Sequence, residues 1–399
     1  MRGAREQEST RNGVHTFRVV WVVGLFGAAA LSGVLKSVDR FGLANPSSPV
    51  AVDSASAEVG VLALAAEDQP MTTTAQEWDL PNLDHPRVDY WIERFTTDKR
   101  DEFTRYLSRS GRYIPMISEK LRERGMPQDL IYLAMIESGF NPKAYSRASA
   151  SGLWQFISET GRRYGLEINN AVDERNDPLK ATDAALDYLS YLHRRFGSWY
   201  LAAAGYNTGE NRVSRIMRQV TGSEKGEESS YYRIWSRLPR ETRDYVPLMI
   251  AAARISKDPA KYGFDEVSLA EPLAFDEVVV DPATPLAAVA QAAGTTVETL
   301  RELNPHFKLN RTRNDMRSAV RVPVGGATKF ATNWSRVKQS ATYAAAAAPA
   351  RTTRTYRVRR GDNLTLIARR HGTTISELRR ANGLRGDRIY AGRTLKLPA

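Results

Sequence analysis

The chain has no cysteine. That excludes disulfide frameworks, cysteine nucleophiles, thiolate metal sites and a lipid-modified cysteine behind an export signal. A chain without thiols is safe in either redox state, so the absence leaves the compartment open. Histidine is scarce too. His15, His85, His193, His306 and His371 show no close ligand spacing, and the sequence implies no metal and no organic cofactor. No zinc finger is possible, and no helix-turn-helix pattern stands out, so nucleic acid is not an expected partner. The excess of 57 Lys and Arg over 45 Asp and Glu gives a net charge of +12. Such a balance suits a polyanionic partner, but an arginine-rich solvated surface accounts for it equally well. A length of 399 residues leaves room for two or three domains.

Long apolar runs are also missing, with one exception. Val19 to Leu35 is seventeen residues without a charge, behind a basic lead of Arg2, Arg5, Arg11 and Arg18. This is the short end of a membrane-spanning helix and the long end of a signal-peptide core. Lys36, Asp39 and Arg40 follow, and Gly42-Leu43-Ala44 offers a small-x-small cleavage site. Residues 1–44 are therefore expected to direct export. Cleavage and retention as an anchor are both open.

Residues 45–84 are rich in Ala, Ser, Thr, Pro and acidic residues without a sustained period, and read as a linker. Helical spacing begins near His85, over Asp89–Phe95, Asp101–Ser108 and Tyr113–Arg124, the last closed by Gly125 and Pro127. From Gln128 to Lys257 the chain reads as helix after helix, an all-α core. Further on, one pattern occurs twice. Gly294 to Asn304 matches Gly372 to Asn382 at an offset of 78, and Arg321-Val322-Pro323 resembles Lys396-Leu397-Pro398. Each copy reads strand, helix, helix, strand. Thr374 followed by Glu377 predicts a capping box, and Gly372 suits the turn between helices. Residues 325–354, with Ala344 to Ala348 and a Thr/Arg stretch, read as a second linker.

Glu137 is the most suggestive side chain. Leu130, Leu133 and Ala134 share its helix face, and burial there would disfavour the ionised form. A carboxyl still protonated near neutral pH can protonate a leaving oxygen, as glycoside cleavage requires. On chemistry alone, a helix-terminal glutamate turned to solvent is the simpler reading. Two polar islands in apolar surroundings shift that weight. Gln155 stands between Leu153, Trp154 and Phe156, after the small residues Ser149 to Gly152. Its amide can both donate and accept bonds to a sugar. Tyr206 and Asn207 follow Leu201 to Ala204, although a plain helix stop with a satisfied tyrosine is the competing reading. Asp173, Glu174 and Asp177 read as a cap and turn before the next helix, not as a second catalytic carboxylate.

These stretches resemble the family 1 soluble-type lytic transglycosylases, and within them the membrane-bound lytic murein transglycosylase D group. The resemblance rests on Glu137-Ser138, Gly152-Leu153-Trp154-Gln155-Phe156, Gly205-Tyr206-Asn207-Thr208-Gly209, and Leu238-Pro239-Arg240-Glu241-Thr242-Arg243-Asp244-Tyr245-Val246-Pro247. These stretches fall in that order between about residues 85 and 260. Gly205 stands where alanine is usual, and the lipobox cysteine common in the group is absent. The repeats resemble LysM modules. In the second copy the likeness lies in Tyr356-Arg357-Val358, Gly361-Asp362-Asn363-Leu364 and Ile367-Ala368. The first copy is degenerate: Ala283-Thr284 replaces Gly361-Asp362, and an extra segment around His306 to Met316 precedes the last strand.

The resemblance implies a mainly α catalytic domain of the lysozyme-like superfamily, followed by small βααβ LysM-type domains. The expected division is a catalytic domain at 85–265, with its core at 128–257, a degenerate LysM-like module at 270–324 and a LysM module at 355–399. It implies a lyase that cleaves the bond between N-acetylmuramic acid and N-acetylglucosamine in peptidoglycan and leaves 1,6-anhydro ends. Glu137 would be both acid and base. Ser138, Gly152, Leu153, Trp154, Gln155, Tyr206 and Asn207 would bind substrate, as would Gly361, Asp362 and Asn382 of the LysM module. Glu241 is expected to be structural or at the groove edge. The implied partner is the glycan strand, itself anionic. A monomer in the periplasm or cell envelope is expected, with residues 19–35 as the route to any membrane attachment. A muramidase of the same fold and a non-catalytic peptidoglycan-binding protein are the competing readings.

Overall fold

The computed structural model describes residues 78–340, 343 and 354–397. The expected export segment and the first linker up to residue 77 lie outside the described residues. Among the described residues no helix is long and apolar enough to cross a membrane. The chain divides into two units between Thr332 and Asn333.

Among the described residues the first unit begins with nine α-helices: α1 (Pro86–Thr96), α2 (Arg100–Glu123), α3 (Ile131–Ser138), α4 (Ser158–Arg163), α5 (Pro178–Phe196), α6 (Trp199–Thr208), α7 (Glu210–Thr221), α8 (Ser230–Ile234) and α9 (Arg240–Lys257). The core is built around α6, whose residues Tyr200 to Gly205 are all buried. An all-apolar helix of this kind has no solvent face to offer and is stable only when other helices enclose it. Here α5, α7 and α9 do so. The ends follow local chemistry. Asp177 accepts from the backbone N–H groups of Leu179 and Lys180 to start α5, with Pro178 at its first position, and Gly197 in the left-handed region ends it.

One expectation is corrected. The stretches 101–108 and 113–124 form a single helix, α2, with Pro115 inside it. Proline in a helix interior costs about 3 kcal/mol. The buried stripe of Phe103, Leu107, Tyr113, Ile117 and Leu121 runs on past it, and burial of four or five such side chains at about 1.5–3 kcal/mol each outweighs that cost.

The same unit ends in the first repeat. Strand β1 (Asp276–Val280), helices α10 (Leu286–Ala293) and α11 (Val297–Leu303) and strand β2 (Ser318–Val322) follow the expected order. The strands pair antiparallel, Val278 opposite Val320. A second correction concerns the linker at 325–354. Its first part is a helix, α12 (Gly326–Lys338). Ala327 N donates to Asp276 Oδ2 at 3.1 Å, and Ala327 and Phe330 are buried. Apolar contact with the module, invisible to composition, makes this stretch helical.

The second unit holds the other repeat: β3 (Arg354–Arg357), α13 (Leu364–His371), α14 (Ile375–Asn382) and β4 (Thr394–Leu397). Tyr356 pairs with Leu395 across the strands. Val358, Leu364, Ile367, Ala368, Leu378, Leu395 and Leu397 make its core. The capping box at Thr374 and Glu377 is present, and Gly372 ends α13 in the left-handed region.

Candidate active site

Glu137 sits in the last turn of α3, after Ile131 to Ile136, every one buried. Gly139 ends the helix in the left-handed region, its N–H donating to Met135 O at 2.7 Å. A Cβ at Gly139 would run into the ring of Tyr106, so the turn that presents Glu137 requires glycine twice over, for its φ of +57° and for space. Arg109 Nη1 donates to Gly139 O at 2.7 Å and holds the turn from α2.

The Glu137 carboxyl is half-buried and accepts a 2.5 Å hydrogen bond from Tyr245 Oη on α9. Burial raises its pKa to about 7, against the lowering effect of the Tyr245 bond, and the charge of Glu241 pushes the same way as burial. Tyr206 and Tyr245 both have phenols pushed well above the usual range, first by burial and then by the Glu137 charge. Glu137, Tyr206, Tyr245 and Glu241 thus form one electrostatic neighbourhood, with a carboxyl poised near neutrality.

Residues 149–156 form the loop beside α3. Ser138 Oγ donates to Leu153 O at 2.8 Å, and Tyr206 Oη donates to Trp154 O at 2.8 Å. The two hydroxyls thus bind the loop to α3 and α6. Ser149 and Gln155 both have positive φ, as does Phe140 after the Glu137 turn. Three non-glycine residues in this sparsely populated region concentrate backbone strain around the carboxylate, as functional loops often do.

Several sequence-derived placements change. Leu153 and Trp154 were expected to contact glycan, but both side chains are fully buried. The Trp154 indole N–H donates to Thr182 Oγ1 at 2.9 Å inside the core. An apolar run next to a polar residue looked like a groove wall, and here it is the underside of the loop. Gln155 Nε2 turns back on the loop, donating to Gly152 O at 2.8 Å and Ala144 O at 3.2 Å. Gly152 is buried, and a Cβ there would collide with Arg175 O. Asn207 accepts from Thr242 Oγ1 at 2.8 Å and donates to Glu241 Oε1 at 3.3 Å. Glu241 is exposed. The turn at 173–177 is a short 3₁₀ segment followed by the Asp177 cap.

In the second repeat Gly361 is exposed at φ +90°. Asp362 accepts from Tyr356 Oη at 2.7 Å and from Arg359 N at 2.8 Å. Asn382 was expected to bind glycan, yet its amide closes the module. It donates to Leu378 O and Lys396 O and accepts from Lys396 N. The repeat itself held the clue, because Asn304 makes the same three bonds to Leu300 and Arg321 in the first copy.

Sequence reasoning gave no role to Tyr245, although Glu241 and Tyr245 are four apart on α9 and so share a face. It also missed Arg175. The Arg175 guanidinium is buried, pairs with Asp173, and donates from Nη1 to Ser149 O at 2.7 Å and Phe156 O at 3.0 Å. It was hidden inside a stretch that read as a plain turn.

Residues 115–229 match the family model of the transglycosylase SLT domain. Residues 356–398 match the LysM domain, and residues 274–339 the LysM-like domain of lytic transglycosylase MltD. The chain belongs to the SLT lytic transglycosylases that carry LysM modules. Among curated relatives, the membrane-bound lytic murein transglycosylase D of Escherichia coli K12 is 33% identical over 294 residues, 73% of this chain and 64% of that protein. The chain therefore spans about two thirds of the length of this relative. The soluble lytic murein transglycosylase of the same strain is 29% identical over 184 residues, 44% of this chain and 26% of that one. A solved 70 kDa soluble lytic transglycosylase from E. coli aligns over 42% of this chain and 25% of its own, at 26% identity and a TM-score of 0.28, too low to carry an argument. Within this family the SLT match spans α3, the 149–156 loop and α6, and thus Glu137, Gln155 and Tyr206. Glu241 and Tyr245 lie beyond it.

Proposed function

We propose that the chain is an exported peptidoglycan lytic transglycosylase that cleaves between N-acetylmuramic acid and N-acetylglucosamine, with Glu137 as its single catalytic carboxyl. The observation that carries this reading is Glu137 itself, half-buried, titrating near 7 and hydrogen-bonded by Tyr245. Near neutral pH such a group exists in both protonation states, as an acid that later acts as base requires. As acid it protonates the glycosidic oxygen, and the bond to the muramoyl C1 breaks as the substrate's own N-acetyl oxygen assists. As carboxylate it then takes the proton from the muramoyl C6 hydroxyl, which closes on C1 to give the 1,6-anhydro ring. No water is consumed and no second carboxylate takes part.

Tyr245 holds Glu137 in place. Ser138, Gln155 and Tyr206 fix the loop that faces the glycan, and Asn207 is hydrogen-bonded to Glu241 beside it. The catalytic domain extends over 85–265 and the two LysM-type copies over 270–324 and 355–399. Export by residues 1–44 is part of the same reading, with the apolar segment 19–35 either cleaved off or kept as an anchor.

A muramidase mechanism has one specific observation in its favour, the second carboxylate of Glu241 acting on Glu137 through its charge. Mass spectrometry of glycan digests separates the two. The expected ends are one water lighter than hydrolytic ends, and reducing muramic acid ends overturn the lyase reading.

A further inference from the structure

The first repeat is joined to the helical domain by a buried ion pair. Arg321 of β2 donates from Nη2 to both oxygens of Asp177, at 3.0 and 2.9 Å, and both side chains are almost completely buried. His306 Nδ1 lies 3.2 Å from Asp177 Oδ2. Burial holds His306 down to about 4, so it is neutral at pH 7 and Arg321 is the cation opposite Asp177. The backbone continues the junction. Asp173 N donates to His306 O and Lys308 N to Ala171 O, both at 2.9 Å, and Val172 pairs with Phe307.

The clamped segment, residues 173–177, has a second side that faces the active-site loop. Arg175 reaches the carbonyls of Ser149 and Phe156. Ser151 Oγ donates to Asn176 Oδ1 at 2.7 Å, and Gly152 lies directly against the Arg175 carbonyl. The segment is therefore gripped by the module at its two ends, Asp173 and Asp177, and between them Arg175 and Asn176 hold the loop that anchors Ser138 and Tyr206.

We infer that the first LysM-like module is a positioning element of the active site, acting through the Arg321–Asp177 pair and residues 173–177 on the loop 149–156, and is not a tether for glycan. The inference rests on the transglycosylase reading for its effect on turnover, but the mechanical link stands without it. A buried pair broken on one side leaves an uncompensated charge, and a displacement of about 1 Å at a reacting group can cost about 10²-fold in rate.

The test uses the full chain with Arg321→Met, Arg321→Lys, and the double variant Asp177→Asn with Arg321→Met. The double variant removes the orphaned charge, and asparagine still caps α5, so it is the arm that folds if Arg321→Met does not. Amide exchange is read by mass spectrometry across 149–156 without glycan, and kcat and KM are read on isolated glycan strands. The expected result is exchange across 149–156 about tenfold faster and kcat lower by about tenfold or more with KM little changed. Arg321→Lys should recover part of both. Unchanged exchange across 149–156 in the folded variants overturns the proposal, as does unchanged kcat alongside loosening confined to 304–322. Hydrolytic ends from the wild type would instead overturn the transglycosylase reading and leave the exchange result to decide the link.

Discussion

The two LysM-type repeats share an element order, a capping threonine before the second helix and an asparagine that ties that helix to the last strand. They differ in what the position after that asparagine contact does. Asn304 brackets Arg321, and Asn382 brackets Lys396. Lys396 is exposed, whereas Arg321 is 6% exposed and paired with Asp177. The helices repeat at an offset of 78 and the last strand, from Arg321 to Lys396, at an offset of 75, so the first copy carries three more residues between them. That longer segment contains His306, Phe307 and Lys308, which meet residues 171–177. One scaffold with a few extra residues thus becomes part of a larger unit, while its sister keeps the loop at Gly361 open to solvent. The lesson is that repeat degeneracy marks a change of contact, not loss of the fold.

The sharpest way to break this division of labour is to remove chemistry without touching either module. Glu137→Gln preserves size and can still accept from Tyr245. It should lower glycan cleavage by at least about 10²–10⁴-fold while co-sedimentation with insoluble peptidoglycan stays at the wild-type level. Residual cleavage above that range would move the catalytic role elsewhere. The pH dependence has a defined sign. The folded pKa of Glu137, about 7, lies above its usual 4.5. Its contribution to stability is therefore complete below pH 4.5 and lost as pH rises through 7. Glu137→Gln has no such loss, so thermal unfolding should find it more stable than wild type at pH 8, by about 3 kcal/mol, and equal near pH 4.

Deleting residues 354–399 addresses the other side of the comparison. Sedimentation with insoluble peptidoglycan should weaken by about tenfold, with turnover of short soluble glycans within about twofold of wild type, because the second unit has its own core. Unchanged sedimentation would transfer the binding role to the helical domain or the first copy.

How much of this was legible beforehand depends on whether a signal is local. The helix caps at Asp177 and Thr374 and the apolar face around Glu137 follow from residues within one or two turns of each other, and the repeat from two such local patterns compared. What could not be read was the direction of side chains in the 149–156 loop. Leu153 and Trp154 directly precede Gln155 in sequence, but a loop with positive φ at Ser149 and Gln155 does not alternate its faces in any simple period. Tyr245 and Glu137 are 108 residues apart, and no pattern within either helix reports their meeting. Arg321 and Asp177 are 144 apart. Each was visible as a residue, and only the tertiary fold made it a pair.

A smaller effect compares the two asparagines. Asn304 is buried and Asn382 half-buried, with the same three bonds. Replacing either by alanine takes the side-chain partner from one carbonyl and one N–H of the last strand, while the Leu300 carbonyl still accepts from the backbone N–H of residue 304. Water can repair this at Asn382 but not at Asn304. Asn304→Ala should cost about 3 kcal/mol and Asn382→Ala about 1 kcal/mol, measured by denaturant unfolding of each unit with a local probe. Equal costs would mean that the first module is no better shielded than the second.

The smallest expected effect tests whether the degenerate copy kept its backbone when it changed its residue. Ala283 stands where the second copy has Gly361, and both have positive φ, +57° and +90°. The first loop thus retains the conformation of the second with a residue ill suited to it. In the left-handed region an L-residue costs roughly 1–2 kcal/mol relative to its preferred conformation, whereas glycine enters it freely but loses more entropy on folding. Ala283→Gly should therefore stabilise the first unit by about 0.5–1 kcal/mol. Gly361→Ala should destabilise the second by a similar amount, and the cost is purely conformational because nothing lies within 4 Å of a Cβ built there. Unfolding midpoints of the two variants should move in opposite directions. If Ala283→Gly destabilises instead, the alanine methyl contributes packing that outweighs its strain, and the first loop has been rebuilt around it.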